Sequence, residues 1–73
     1  MAGGGSSTEI AEIVRARRRD LRLTQTEAAD LAGCSPRFVR AVESGKPTLR
    51  IDKLLDLLDV LGLELTIAPR VVT

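Results

Sequence analysis

Apolar positions recur along the chain with a helical period. From about Thr8, Ile10, Ile13 and Val14 fall at i, i+3 and i+4, and Leu21 extends the stripe. Ser6 followed three residues later by Glu9 offers a capping-box start, so a first helix is expected over 8–20. The chain then restarts at Thr24, whose hydroxyl can accept from the Glu27 amide while the Glu27 carboxylate reaches back to the Thr24 amide. A second helix over 25–32 follows, stopped by Gly33, which takes a left-handed conformation without steric cost. Ser35 is the next cap and Pro36 the first helical position, where a missing N–H and a fixed φ do no harm. The third helix is expected to run to about Ser44, with Gly45 as its stop.

Thr48 is a candidate cap for a fourth helix over 49–61, closed by Gly62. Its Ile51, Leu54, Leu55, Leu58 and Leu61 form one apolar face, and Leu57 and Val60 widen it beyond what one neighbour needs. The surplus is either a second buried face or a dimer contact. After Gly62 the period changes to two: Leu63, Leu65 and Ile67 alternate with Glu64, Thr66 and Ala68 before Pro69. A single strand needs a partner, and the economical one is its copy in a second subunit. The dimer interface is therefore expected at Leu57, Val60, Leu61, Leu63, Leu65 and Ile67. Residues 1–7 read as a glycine-rich flexible lead and 69–73 as a tail, flanking the helical domain at 8–61 and the dimerisation strand at 62–68.

Seventy-three residues make one domain at most, with a core small enough that a second copy would add useful buried surface. Phe38 is the one aromatic residue, so the core is built from Leu, Ile, Val and Ala. No apolar run approaches the roughly 18 residues that span a bilayer, and the N-terminus lacks the pattern of a signal peptide, so a cytoplasmic location is expected. Without histidine, the lone Cys34 has neither an imidazole partner nor a zinc set, and it is expected to be a small buried hydrophobe. The carboxylates are scattered over helix surfaces. Neither catalysis nor a cofactor is expected.

The net charge of +1 conceals an uneven distribution. Residues 15–50 hold nine Lys and Arg against four acids, whereas both flanks are mildly acidic. Such a middle suggests a surface facing a polyanion. Two short helices broken at a Gly, the first opening TQTEAA and the second SPRFVRAV, have the layout of a DNA-binding helix-turn-helix. With Val39 and Val42 inward, Ser35, Pro36, Arg37, Arg40 and Ala41 fall on the outward face that would enter the major groove. Arg37, then Arg40, is placed for bidentate contact with guanine, while Pro36 and Ala41 offer apolar contact to a thymine methyl. Phe38 is read as a packing residue. Phosphate contacts are expected from Gln25, Ser44, Lys46, Thr48 and Arg50, with Ser35 helping at the opening of helix 3. The run Arg15, Arg17, Arg18 and Arg19 is read mostly as solvated surface.

Through LTQTEAADLAGCSPRFVRAVESGKP at 23–47 the chain resembles the XRE, or lambda-repressor-like, helix-turn-helix regulators. The resemblance implies an all-α four-helix domain whose groove-facing positions are Ser35, Pro36, Arg37 and Arg40. The following PTLRIDKLLDLLDVLGLELTI at 47–67 is similar to HipB-type antitoxins. That likeness implies a homodimer joined by a two-stranded sheet at Leu63 to Ile67, autorepression at a pseudo-palindromic double-stranded DNA operator, and a HipA-like kinase toxin as partner. The alternatives are a stand-alone XRE-family regulator and a protein-interaction adaptor that kept the fold without DNA binding. An adaptor would carry acids or bulky apolar groups where this chain has Arg37 and Arg40.

Overall fold

A computed structural model of the chain describes residues 7–69. It contains four helices, α1 (Ser7–Asp20), α2 (Gln25–Ala32), α3 (Pro36–Glu43) and α4 (Ile51–Val60). Each of the four ends on a residue in the left-handed region, at Arg22, Gly33, Gly45 and Gly62. In each closure the next amide donates back into the last turn: Leu23 to Arg18, Cys34 to Ala29, Lys46 to Ala41 and Leu63 to Leu58. The expected Ser6 cap of α1 lies outside the described residues.

The helix starts α2 and α3 follow the local chemistry read from the sequence. Glu27 N donates to Thr24 Oγ1 at 3.0 Å and Thr24 N to Glu27 Oε1 at 2.8 Å, so the capping box is complete. Ser35 caps α3 by accepting from Phe38 N at 3.1 Å. The start of α4 differs. Its cap is Arg50, which makes no side-chain capping bond, and Thr48 stands outside the helix. Leu49 explains the displacement: it packs against the core, and the helix begins only after that side chain is placed.

Helix α3 packs on α1 and α2, and α2 packs on α4. The core consists of Val14, Ala28, Ala29, Ala32, Val39, Val42, Leu54, Leu57, Leu58 and Leu61. The three alanines let α2 approach its neighbours closely, with the larger α4 leucines filling the remaining space. Leu57 and Leu61 are both 0% exposed, which corrects their assignment to the dimer interface. The surplus apolar width of α4 is its second buried face within the chain, and Ile51 and Leu55 are the exposed leucine-type groups on that helix. On α1, Val14 is sealed but Ile13 is exposed, because the helix is covered only along its Ala11 and Val14 side, and Leu21, in the turn after it, is exposed as well.

Among the described residues there is no strand. Residues 63–69 leave α4 without regular structure, Ile67 being 89% exposed. A lone extended segment has no ladder to join, so the period-two pattern produces no strand within a single chain. No helix among these residues is long and apolar enough to cross a membrane.

Candidate nucleic-acid interface

The outward face of α3 is set by what the inward face buries. Val39 and Val42 are sealed against the core, and a helical turn carries Arg37 and Arg40 to the opposite side, where both are exposed. Neither arginine side chain has a hydrogen-bonding or ionic partner among the described residues. Ser35 is exposed beside them, and Pro36 and Ala41 are half-buried. Phe38 lies against the edge of the core, the packing position expected of it.

The residues expected to contact phosphate are in different states. Lys46 and Thr48 are exposed in the segment after α3. Ser44 donates its hydroxyl to Ala41 O at 2.9 Å, which closes the end of α3. Arg50 forms a two-bond pair with Asp52, at 2.6 and 3.2 Å, and both side chains are largely solvated. Hydrogen bonding from Arg50 holds the Asp52 carboxyl below its ordinary pKa. Gln25 donates through Nε2 to Glu43 Oε1 at 3.2 Å.

Glu43 is the residue whose role the sequence pattern concealed. Only 4% exposed, it is the one buried charged residue among those described. Arg18 spans from α1 to give it two bonds, at 2.6 and 2.9 Å, and donates a third from the same guanidinium to Leu23 O at 2.8 Å. Arg15 approaches the same carboxylate at 3.8 Å and donates to the Glu43 carbonyl at 2.9 Å. Burial pushes the Glu43 carboxyl upward, but hydrogen bonds from Arg18 and Gln25, with the charges of Arg18 and Arg15, outweigh it and leave the pKa lowered. The bond to Glu43 raises the Arg18 pKa in turn. Arg17 also reaches inward, donating from Nε to Leu61 O at 2.8 Å. Arg15, Arg17 and Arg18 of the α1 arginine run therefore join that helix to the ends of α3 and α4, and Arg19 alone of the four is exposed without such a bond among the described residues. The available signal was an acid adjoining the Val39 and Val42 stripe on α3, directly after a valine that must be buried.

Cys34 is half-buried in the turn between α2 and α3, packed at the margin of the core.

Residues 14–67 match the helix-turn-helix family. The chain belongs to the helix-turn-helix family. Within it, the residues are those of an XRE-like regulator, as the 23–47 segment implied. The helix-turn-helix chain is 41% identical over 59 residues to the uncharacterized HTH-type transcriptional regulator y4mF of Sinorhizobium fredii, covering 81% of this chain and 78% of that protein. Among solved structures, FeII HppE superposes with a TM-score of 0.69 at 32% identity over 81% of this chain. This helix-turn-helix domain spans only 32% of the HppE chain. A structure described as MDT protein superposes with a TM-score of 0.80, covering 94% of this chain and 97% of that one, and at 20% identity it shares the fold alone.

Proposed function

We propose that the protein is a dimeric, sequence-specific transcriptional repressor that reads the major groove of a pseudo-palindromic operator through α3. The observation that carries this reading is the division of labour on α3: Val39, Val42 and Glu43 hold the helix in place, leaving Arg37 and Arg40 uncommitted on its solvent face. Arginines so placed match the O6 and N7 acceptors of guanine. Lys46 and Thr48, in the segment after α3, suit the adjoining backbone.

The dimer part of the proposal is supported by apolar surface that a single chain leaves open. Ile10, Ile13, Leu58, Leu63 and Leu65 line a groove between α1 and the segment after α4, and exposed Ile67 continues along that segment. A second copy supplying the same segment would complete a two-stranded ladder at Leu63 to Ile67 and cover these groups, with Val60 at the margin. Half-sites are then expected about 34 Å apart. The likeness of 47–67 to HipB-type antitoxins supports a finer version in which the repressor also binds a kinase-type toxin, with exposed Asp52, Asp56 and Asp59 as the candidate surface.

The test is selection from random DNA duplexes at two salt concentrations, with sedimentation of the protein alone. An inverted repeat whose affinity falls steeply with salt is the expected result. Weak, sequence-blind binding by a monomer would reject the proposal in favour of an adaptor. Copurification with the product of a neighbouring kinase-like reading frame tests the toxin partnership.

A further inference from the structure

The shared oxygen of Glu43 brings together two groups that lie far apart in the sequence. Its Oε1 receives Gln25 Nε2 at 3.2 Å and has Arg15 Nε at 3.8 Å, so the first residue of α2 and the middle of α1 flank one atom at the end of α3. Each retains unused hydrogen-bonding capacity. The Gln25 amide group has two N–H bonds and gives one to Glu43, and Arg15 has five and gives one to the Glu43 carbonyl. Arg15 is also half exposed, at 48%. Its charge is not consumed by Glu43, because Arg18, which gives that carboxylate two of its three guanidinium hydrogen bonds, already neutralises it. The junction therefore presents one net positive charge and two fixed sets of donors to solvent, at the N-terminus of the helix that crosses the DNA backbone in this motif.

We propose that Arg15 and Gln25 form a clamp for one DNA backbone phosphate and that Glu43 is the positioning residue that sets it. This rests on the DNA-binding reading above. Arg15 supplies the charge and Gln25 a neutral donor. Buried Glu43 fixes the side chains of both relative to α3, so that the depth of α3 in the groove and the grip on the backbone are set by the same carboxylate. Arg15 thereby joins the phosphate-contacting residues, a role distinct from that of Arg17 and Arg18, whose guanidinium groups close the fold.

The experiment is a salt titration of DNA affinity with the full chain and its Arg15→Ala, Gln25→Ala, Arg15→Ala/Gln25→Ala and Glu43→Gln variants, each checked for helicity. Wild-type protein that fails to bind any duplex would overturn the DNA-binding reading itself. With wild-type binding established, Arg15→Ala is expected to lower the slope of log affinity against log salt by about 0.9, the share of one phosphate. Gln25→Ala is expected to weaken binding several-fold with little change of slope, and the double variant to lose less than the product of the two single losses. Glu43→Gln, if folded, is expected to weaken binding by loosening both side chains while keeping base preference and without the slope loss of Arg15→Ala. An unchanged slope for Arg15→Ala, or strictly multiplicative losses for the pair, would overturn the clamp. If Glu43→Gln does not fold, the Arg15 and Gln25 cycle decides the question alone.

Discussion

Arg17 Nε donates to the main-chain oxygen of Leu61 across 2.8 Å, tying the last turn of α1 to the end of α4, 44 residues later in the chain. The bond satisfies a carbonyl that the end of α4 leaves without a helical partner. Gly62 follows immediately, with φ +70, and a Cβ there would meet Arg17 Nη2 at 3.2 Å. Gly62→Ala is expected to cost about 1 to 2 kcal/mol from the left-handed backbone alone. Arg17→Met, which keeps the stem, is expected to cost about 1 to 2 kcal/mol. Urea unfolding followed by circular dichroism measures both. Equal stability of Gly62→Ala and wild type would contradict the backbone argument.

The Arg18 and Glu43 pair makes stability depend on acid. Because the folded carboxyl is lowered, its stabilisation is complete above the unfolded value, near 4.3 for glutamate, and is lost as pH falls through the folded value. Between pH 6 and pH 3 the wild type is expected to lose more stability than Glu43→Gln, as read from chemical denaturation at each pH. Arg18→Met leaves the buried carboxylate with only the Gln25 bond and the more distant Arg15 charge, and is expected to cost about 3 kcal/mol. A domain of this size has roughly 4 to 11 kcal/mol in total, so that variant should lose a large share of its stability and unfold at a clearly lower urea concentration than the wild type.

Arg22 closes α1 at φ +59, a conformation that burdens any residue with a Cβ. Arg22→Gly removes that strain and adds chain entropy to the unfolded state, and the balance is expected to be a gain of about 0.5 kcal/mol. A thermal melt suffices, and a lower midpoint would show that the arginine makes a compensating contribution.

Arg37→Ala is expected to weaken operator binding by about 1 to 3 kcal/mol and to relax preference at one base position. Lys46→Ala should weaken all duplexes alike and reduce the salt slope by about one. Fluorescence anisotropy with matched and mismatched duplexes separates the two behaviours. Uniform loss for Arg37→Ala would move base reading elsewhere on α3.

The Cys34 thiol sits above its ordinary pKa because burial disfavours the thiolate, and Asp56 adds to this against the opposing charge of Lys53. At pH 8 it is expected to react with a neutral disulfide reagent more slowly in the folded chain than in the urea-unfolded one. Stopped-flow absorbance measures the ratio.

The features legible in the sequence are those governed by neighbours along the chain. Thr24 and Glu27, or Ser35 and Pro36, state their geometry within four residues, and the structure places both caps where the spacing predicts. The Val39 and Val42 stripe, and hence the solvent face carrying Arg37 and Arg40, is equally local. Glu43 was not legible because its meaning depends on Arg18, 25 residues away, and on the crossing of α1 over α3. The same limit applies to Leu57 and Leu61: periodicity counts the apolar faces of α4 without revealing that α2 already covers the second. Thr48 failed as a cap for a related reason, since the packing of Leu49 decides where the helix can begin.

The separation of tasks on α3 also bears on how such a protein can diversify. The side chains of Arg37 and Arg40 are exposed and make no hydrogen bond or ion pair among the described residues, whereas Val39 and Val42 on the same helix are sealed in the core. Substitutions at the two arginines are thus nearly free of folding cost, while the intervening positions tolerate little change. Lineages descended from this domain can therefore acquire new recognition sequences one exposed position at a time, without first passing through an unstable ancestor.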